Sequence, residues 1–253
     1  MWEWVEKEIK RIEHEQNVTI WYAVESGSRA WGFPSKDSDF DVRFLYTHSE
    51  DWYVSVEERR DVIEYPIDDS LDVSGWDLKK GLQLLRKCNP SLLEWLNSPI
   101  VYRDKGNLAT ELRKLCRENM ALKPLIYHYL HMAEGNFREY LQGEQVKIKK
   151  YFYVLRPLFA CSYIEKYEAE PPVLFDEIMA EIEIPEPIRE ITSELLVRKK
   201  AGDELDLEPR LDELNAYINE QIGHFKQFVQ SIDSPEPIAY AKLNAVFRKF
   251  VRE

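Results

Sequence analysis

A chain of 253 residues that is 44% hydrophobic and 13% aromatic has enough apolar material for one large core or two modest ones, and is not a disordered segment. Its net charge of -12 argues against a general nucleic-acid coat protein, because nonspecific duplex binding rests on phosphate neutralisation by Lys and Arg; an enzyme with a local basic groove stays open. Cys88, Cys116 and Cys161 are scattered, odd in number and without C-x-x-C spacing, which suggests neither a disulfide framework nor a zinc site and reads as three buried small hydrophobes.

The N-terminal stretch MWEWVEKEIKRIEHEQ is charged throughout. Nowhere does the sequence approach the run of roughly 20 apolar residues that a membrane span needs, so a soluble cytoplasmic protein is expected. Trp4, Val5, Ile9 and Ile12 recur at helical spacing and predict an amphipathic helix over residues 2–16. A β-branched and aromatic strand follows at 18–25, ending at Ser26-Gly27-Ser28, and a second strand runs from Asp39 to Tyr46 after the break at Pro34. Strand-like runs continue at Asp61–Ile67 and Leu71–Trp76, with Asp68-Asp69-Ser70 reading as a hairpin turn between them. A helix is expected at Leu78–Leu85, and Asn89-Pro90 forms an N-cap and N1 pair for another through Leu96.

Beyond about residue 106 the pattern turns helical, with three-to-four spacing in Leu108–Leu115, Ala121–Leu141, Val146–Tyr167, Pro172–Ile182, Ile188–Lys199, Leu211–Phe228 and Ile238–Val251. The acidic stretch Asp203–Glu208 reads as a solvated loop. This order predicts an α+β chain, with a mixed-sheet domain over residues 1–106 and an all-α helical domain over 107–253.

The chemistry concentrates in Gly27–Arg43, GSRAWGFPSKDSDFDVR. Residues two apart on a strand share a face, so Asp39 and Asp41 present paired carboxylates while Phe40, Val42 and Phe44 turn to the core. Two such carboxylates repel unless a cation lies between them, and hard oxygen ligands suit Mg²⁺. Gly27 permits close backbone approach to an anion, and the Ser28 hydroxyl can hold phosphate oxygens. A calcium loop opening at Asp37 is excluded, since it requires Gly and Glu where this chain has Val42 and His48. Asp72 lies inside the strand-like run Leu71–Trp76, whereas Asp77 falls where a helix begins and reads equally well as a cap. Glu25 reads either as support for the paired acids or as an exposed strand-end residue. Arg43 shares the parity of Asp39 and Asp41, so it is expected to face the site, with Arg29 a weaker candidate.

A hydrophobic strand, Gly-Ser and then Asp-x-Asp on the next strand resembles the nucleotidyltransferase superfamily typified by DNA polymerase beta, and the resemblance implies a third carboxylate from the run Leu71–Trp76 or its end, with Asp72 favoured over Asp77. The longer strings ESGSRAWGFPSKDSDFDVRF, LDVSGWDLKK, NPSLLEWLNSPIVY and KKYFYVLRPLFA are similar to one bacterial branch, the YcgL-type or RNA repair pathway polymerase-beta-like family, over about residues 20 to 175. The resemblance implies a polymerase-beta-like head followed by a helical-bundle half that completes the nucleotide and acceptor cleft. It also implies transfer of a nucleoside monophosphate from a nucleoside triphosphate to a hydroxyl with release of pyrophosphate, ATP being among the candidate triphosphates. Asp39, Asp41 and Asp72 would hold two Mg²⁺ ions, with Mn²⁺ an alternative, while Gly27 and Ser28 would position phosphates.

In the helical half, Lys149, Tyr153 and Arg156 fall at i, i+4 and i+7 on one face, a pattern that suits either nucleotide phosphates and a stacked base or a plain surface with snorkelling side chains. Lys147, Lys150 and Tyr151 point elsewhere on the wheel. His128 and His131 lack the accompanying carboxylate of a zinc-protease motif and read as structural. The acceptor is expected to be an RNA end, the alternatives being a small molecule of the aminoglycoside type or a protein; a binding protein without catalysis is the remaining class.

Overall fold

The computed structural model describes residues 3–35, 38–65, 71–202, 205–233 and 236–253. In chain order the elements are α1 (Glu3–Gln16), β1 (Thr19–Glu25), the single turn α2 (Gly27–Ala30), β2 (Phe40–Thr47), the short α3 (Glu50–Tyr53), β3 (Val62–Glu64), β4 (Leu71–Asp77), α4 (Leu78–Arg86), α5 (Pro90–Leu96), β5 (Val101–Asp104), α6 (Leu108–Glu118) and α7 (Leu122–Tyr140). They continue with β6 (Gln145–Lys147), α8 (Lys150–Tyr167), α9 (Phe175–Glu181), α10 (Glu186–Ala201), β7 (Leu207–Pro209), α11 (Asp212–Ser231) and α12 (Tyr240–Arg252). The class is α+β, as expected. Two compact units form, one from Met1–Ala30, Asp39–Met120 and Pro235–Glu253, the other from Trp31–Ser38 and Ala121–Ser234. The helical pattern beyond residue 106 therefore includes α6 and α12, which belong to the first unit.

The first unit is built on a five-stranded sheet of order β3-β4-β2-β1-β5. β2 and β4 run parallel, while the other neighbours are antiparallel. Val5, Ile9 and Ile12 of α1 cover one face, packing against Ile20, Ala23, Val42, Phe44 and Val73; each buried Val, Ile or Phe among them stabilises by about 1.5–3 kcal/mol. Phe44 is accommodated by a missing side chain on the next strand, since a Cβ at Gly75 would lie 2.1 Å from its ring. Leu78, Leu82 and Leu85 of α4 and Leu92, Leu93 and Leu96 of α5 are buried as well, and α12 returns to set Phe250 edge-on against Trp21, ring centroids 5.0 Å apart. The expected cap is present: the Asn89 side chain accepts from the Leu92 amide at 3.2 Å.

β5 has no counterpart among the expected strands. It is four residues long and holds Tyr102, Arg103 and Asp104, so it carries no apolar alternation. What fixes it is long-range pairing with β1 and the ion pairs of Arg103 with Glu6 (2.6 Å) and Glu13 (2.9 Å) of α1. The expected turn at Asp68-Asp69-Ser70, and the end of the run to Ile67, lie outside the described residues.

The second unit is helical, with α7, α8 and α11 at its centre. Helix α8 opens at Lys150, later than the periodicity from Val146 suggests, because Gln145–Lys147 instead pairs with Leu207–Pro209 as a two-stranded ribbon. The acidic loop is thus a strand from Leu207 onward, and Asp203 and Glu204 lie outside the described residues. The segment Trp31–Ser38 packs here through Phe33, which meets Phe152 and Phe175 at centroid distances of 5.2 and 5.4 Å. Phe175 donates its amide to the Trp31 carbonyl at 2.9 Å. All three cysteines are buried and outside any disulfide, and among the described residues no helix is long and apolar enough to cross a membrane.

Candidate active site

The parallel register of β2 and β4 sets Asp41 directly opposite Asp72. Adjacent strands lie about 4.8 Å apart, so two carboxylates in that position repel strongly unless a cation joins them. Arg43 supplies the positive charge: its Nη2 donates to Asp41 Oδ1 at 3.1 Å and to Asp72 Oδ2 at 2.7 Å. The shared parity of residues 41 and 43 puts acid and base on one side of the sheet. Asp39 precedes β2 and is exposed.

Gly27 lies under Asp41. Its φ of +60° is left-handed, and a Cβ there would come within 2.0 Å of Asp41 Oδ2. Both the conformation and the close approach require glycine. The Ser26 amide donates to the Asp41 carbonyl at 2.8 Å, tying the turn to β2, and Ser28 stands in the following single turn α2.

Of the two readings of Glu25, the structure takes the supporting one. Glu25 is fully buried at the end of β1, where Oε1 accepts from the Asp41 amide at 3.0 Å and Oε2 is met by the Tyr102 hydroxyl. Burial raises its pKa above the ordinary glutamate value, with the bonds from Tyr102 and the Asp41 amide opposing. Arg29 lies across the Phe40 ring at 3.8 Å and donates Nε to the Asp39 carbonyl at 3.1 Å, so it holds the backbone that carries the first acid. Sequence periodicity carries no signal for Tyr102, whose role depends on the pairing of β5 with β1.

Burial is also the chief reason that the Asp41 pKa is raised; Arg43 opposes the shift, and Asp72 and Asp39 reinforce it. A carboxylate with that balance gains from a cation at close range. Among the described residues no group of three or more His, Cys, Asp or Glu stands arranged around a common ion position. The donor chemistry nevertheless fits a hard divalent ion: oxygen ligands only, a glycine leaving room, and a guanidinium nitrogen already acting as a stand-in cation between two of the acids.

Asp77, the alternative third acid, sits at the far end of β4. Its Oδ1 accepts from the Lys79 amide at 2.7 Å, capping α4, and its Oδ2 from the Tyr53 hydroxyl at 2.7 Å. Burial pushes its pKa up to about 6.

In the second unit, Lys149 immediately precedes α8 and is exposed, and the Tyr153 ring is 41% exposed. Arg156, expected on the same face, is instead buried: its guanidinium lies 4.4 Å from the Trp31 ring and Nη2 donates to the Val173 carbonyl at 3.3 Å. Cation–π attraction in a desolvated position explains that choice. Tyr153 meets the edge of Trp31 at 5.9 Å, so Arg156 supports from below the ring that Tyr153 packs against. Lys199 joins this group without a periodicity signal of its own; it is 5.8 Å from the Phe33 ring, and burial, followed by the nearby Lys149 charge, lowers its pKa.

A model of the RNA repair pathway DNA polymerase beta family matches residues 1–249. A protein of Bacillus subtilis (strain 168), described as uncharacterized protein YcgL, is 48% identical over 246 residues, a span of 97% of this chain and 95% of that protein. Among solved structures, a nucleotidyltransferase-like protein from Exiguobacterium sibiricum 255-15 is similar at 16% identity and a TM-score of 0.33, covering 90% of this chain and 75% of that one, a likeness too loose to argue from.

Proposed function

From the premise that the chain belongs to the RNA repair pathway DNA polymerase beta family, we propose that it is a metal-dependent nucleotidyltransferase that moves a nucleoside monophosphate from a nucleoside triphosphate to the hydroxyl of an RNA end. The observation that carries this reading is the direct opposition of Asp41 and Asp72, with the left-handed Gly27 packed so closely on the Asp41 carboxylate that a Cβ there would displace it.

In the reaction the acceptor oxygen attacks the α-phosphorus, the bond from that phosphorus to the β-bridging oxygen breaks, and pyrophosphate leaves. Asp39, Asp41 and Asp72 are the residues that would hold the divalent ions. Bound there, such ions would neutralise charge on the phosphates and favour the ionised acceptor oxygen. We assign to Asp72, 28% exposed, the uptake of the acceptor's proton. Glu25 and Arg29 fix the backbone on either side of Phe40, so that the Asp39 and Asp41 side chains start from a rigid base. The Gly27 and Ser28 amides and the Ser28 hydroxyl are our candidates for phosphate contacts. The helical unit by itself presents an exposed charge at Lys149 and an exposed ring at Tyr153, side chains of the kind that hold phosphate and stack on a base.

The test is to incubate the protein with Mg²⁺ and each α-labelled triphosphate in turn, alongside parallel pools of RNA, amino-sugars and protein. Label entering RNA, and lost in Asp41→Asn, supports the proposal. Label entering amino-sugars or protein instead refutes the RNA acceptor, and label entering none refutes transfer.

A further inference from the structure

Arg43 is more than a residue facing the site. Beyond its two carboxylate bonds, Nη1 donates to the Asp72 carbonyl at 2.9 Å and to the Val42 carbonyl at 3.1 Å, so the guanidinium is held by both strands at once. Its side chain is 18% exposed, less than either acid it joins. A nitrogen within hydrogen-bond reach of Asp41 Oδ1 and Asp72 Oδ2 stands where a cation joining those two oxygens would stand. Arginine cannot give up its charge by losing a proton, so it vacates that place only by moving.

We propose that Arg43 is a resident counter-cation: it holds Asp41 and Asp72 together in the metal-free protein and competes with the divalent ion for the same oxygens, thereby setting the metal concentration at which the site fills. The inference rests on the nucleotidyltransferase reading for the identity of the incoming cation. It makes Arg43 a positioning residue with two arrangements, one bridging the acids and one displaced from them. Asp39, Asp41 and Asp72 with Arg43 carry a formal charge of −2, which removal of the guanidinium changes to −3. The loss raises attraction for a divalent ion and, without metal, leaves the acids in unrelieved repulsion.

The experiment is a Mn²⁺ titration of the full chain followed by electron paramagnetic resonance, with thermal unfolding measured in chelator and in saturating Mn²⁺. Arg43→Gln, which keeps hydrogen-bond donors and drops the charge, is expected to bind Mn²⁺ about tenfold more tightly than the unsubstituted protein. It is also expected to melt lower in chelator, with the difference closing in Mn²⁺. Binding abolished by Asp41→Asn but unchanged or weakened by Arg43→Gln overturns this inference alone. Absence of binding in every form, Arg43→Gln included, overturns it together with the nucleotidyltransferase reading. A measurement independent of folding of the variant is the side-chain ¹⁵N resonance of Arg43 in the unsubstituted protein: it is expected to move on saturation with Mg²⁺, and an unmoved resonance contradicts the displacement.

Discussion

The α-carbon of Gly27 and the carboxylate of Asp41 are so close that a single added methyl group at residue 27 would come within 2.0 Å of Asp41 Oδ2. The left-handed φ of +60° adds a second demand, which costs any other residue about 1–2 kcal/mol. The yielding partner is the end of a side chain, so Gly27→Ala should displace the carboxylate while the fold persists. The expected outcome is a fall in transfer rate of about 100-fold or more with a Tm only a few degrees lower, checked by initial rates beside thermal unfolding. A variant that keeps full activity would show that Asp41 does not need its present position.

Asp77 gives a pH prediction with a definite sign. Its pKa is raised from 3.8 to about 6 by burial. The protonated form is therefore favoured in the folded state, and the stabilisation is fully present below about pH 4 and lost as pH rises through 6. That gap corresponds to about 3 kcal/mol. Asparagine can still accept from the Lys79 amide and meet the Tyr53 hydroxyl, so Asp77→Asn retains the cap and removes the titration. Denaturant unfolding of both proteins from pH 4 to 7 should show the variant gaining on the parent by about 2–3 kcal/mol across that window. Parallel curves would contradict the buried-carboxylate reading.

Tyr153 and Arg156 are neighbours on one turn of α8 with opposite expected phenotypes. Tyr153→Ala removes a ring that is 41% exposed, and should weaken nucleotide binding by about 1–3 kcal/mol with little change in Tm. Arg156→Ala empties the space beneath Trp31 and should destabilise the protein by about 2–3 kcal/mol, leaving nucleotide affinity to follow the folded fraction. Calorimetric titration and unfolding on the same samples separate the two; identical profiles would contradict the division of roles.

Periodicity and motif spacing reveal the parts of this molecule whose causes are local. The apolar stripe of α1, the β-branched run of β1, the Asn89 cap and the parity of Asp41 and Arg43 are properties of contiguous residues, and each is found where the sequence puts it. The opposition of Asp41 and Asp72 is partly legible: a third acid on a later strand is expected, but its exact partner depends on a parallel register that no local pattern encodes. β5, β6 and β7 are three or four residues long and owe their conformation to distant partners. The burial of Arg156 depends on Trp31, which arrives from a segment more than a hundred residues earlier. The passage of Trp31–Ser38 into the helical unit, between the glycine turn and the paired acids, has no compositional mark.

The proposed reacting centre is the Asp41–Asp72 pair, and not the buried acid at the other end of the same strand. The direct measurement is single-turnover transfer of label from an α-labelled triphosphate to RNA by Asp72→Asn and Asp77→Asn, with folding verified for both. A loss of at least about 100-fold is expected for Asp72→Asn, and a rate within a few-fold of the parent for Asp77→Asn. Full activity in Asp72→Asn, or an equal loss in Asp77→Asn, would contradict it.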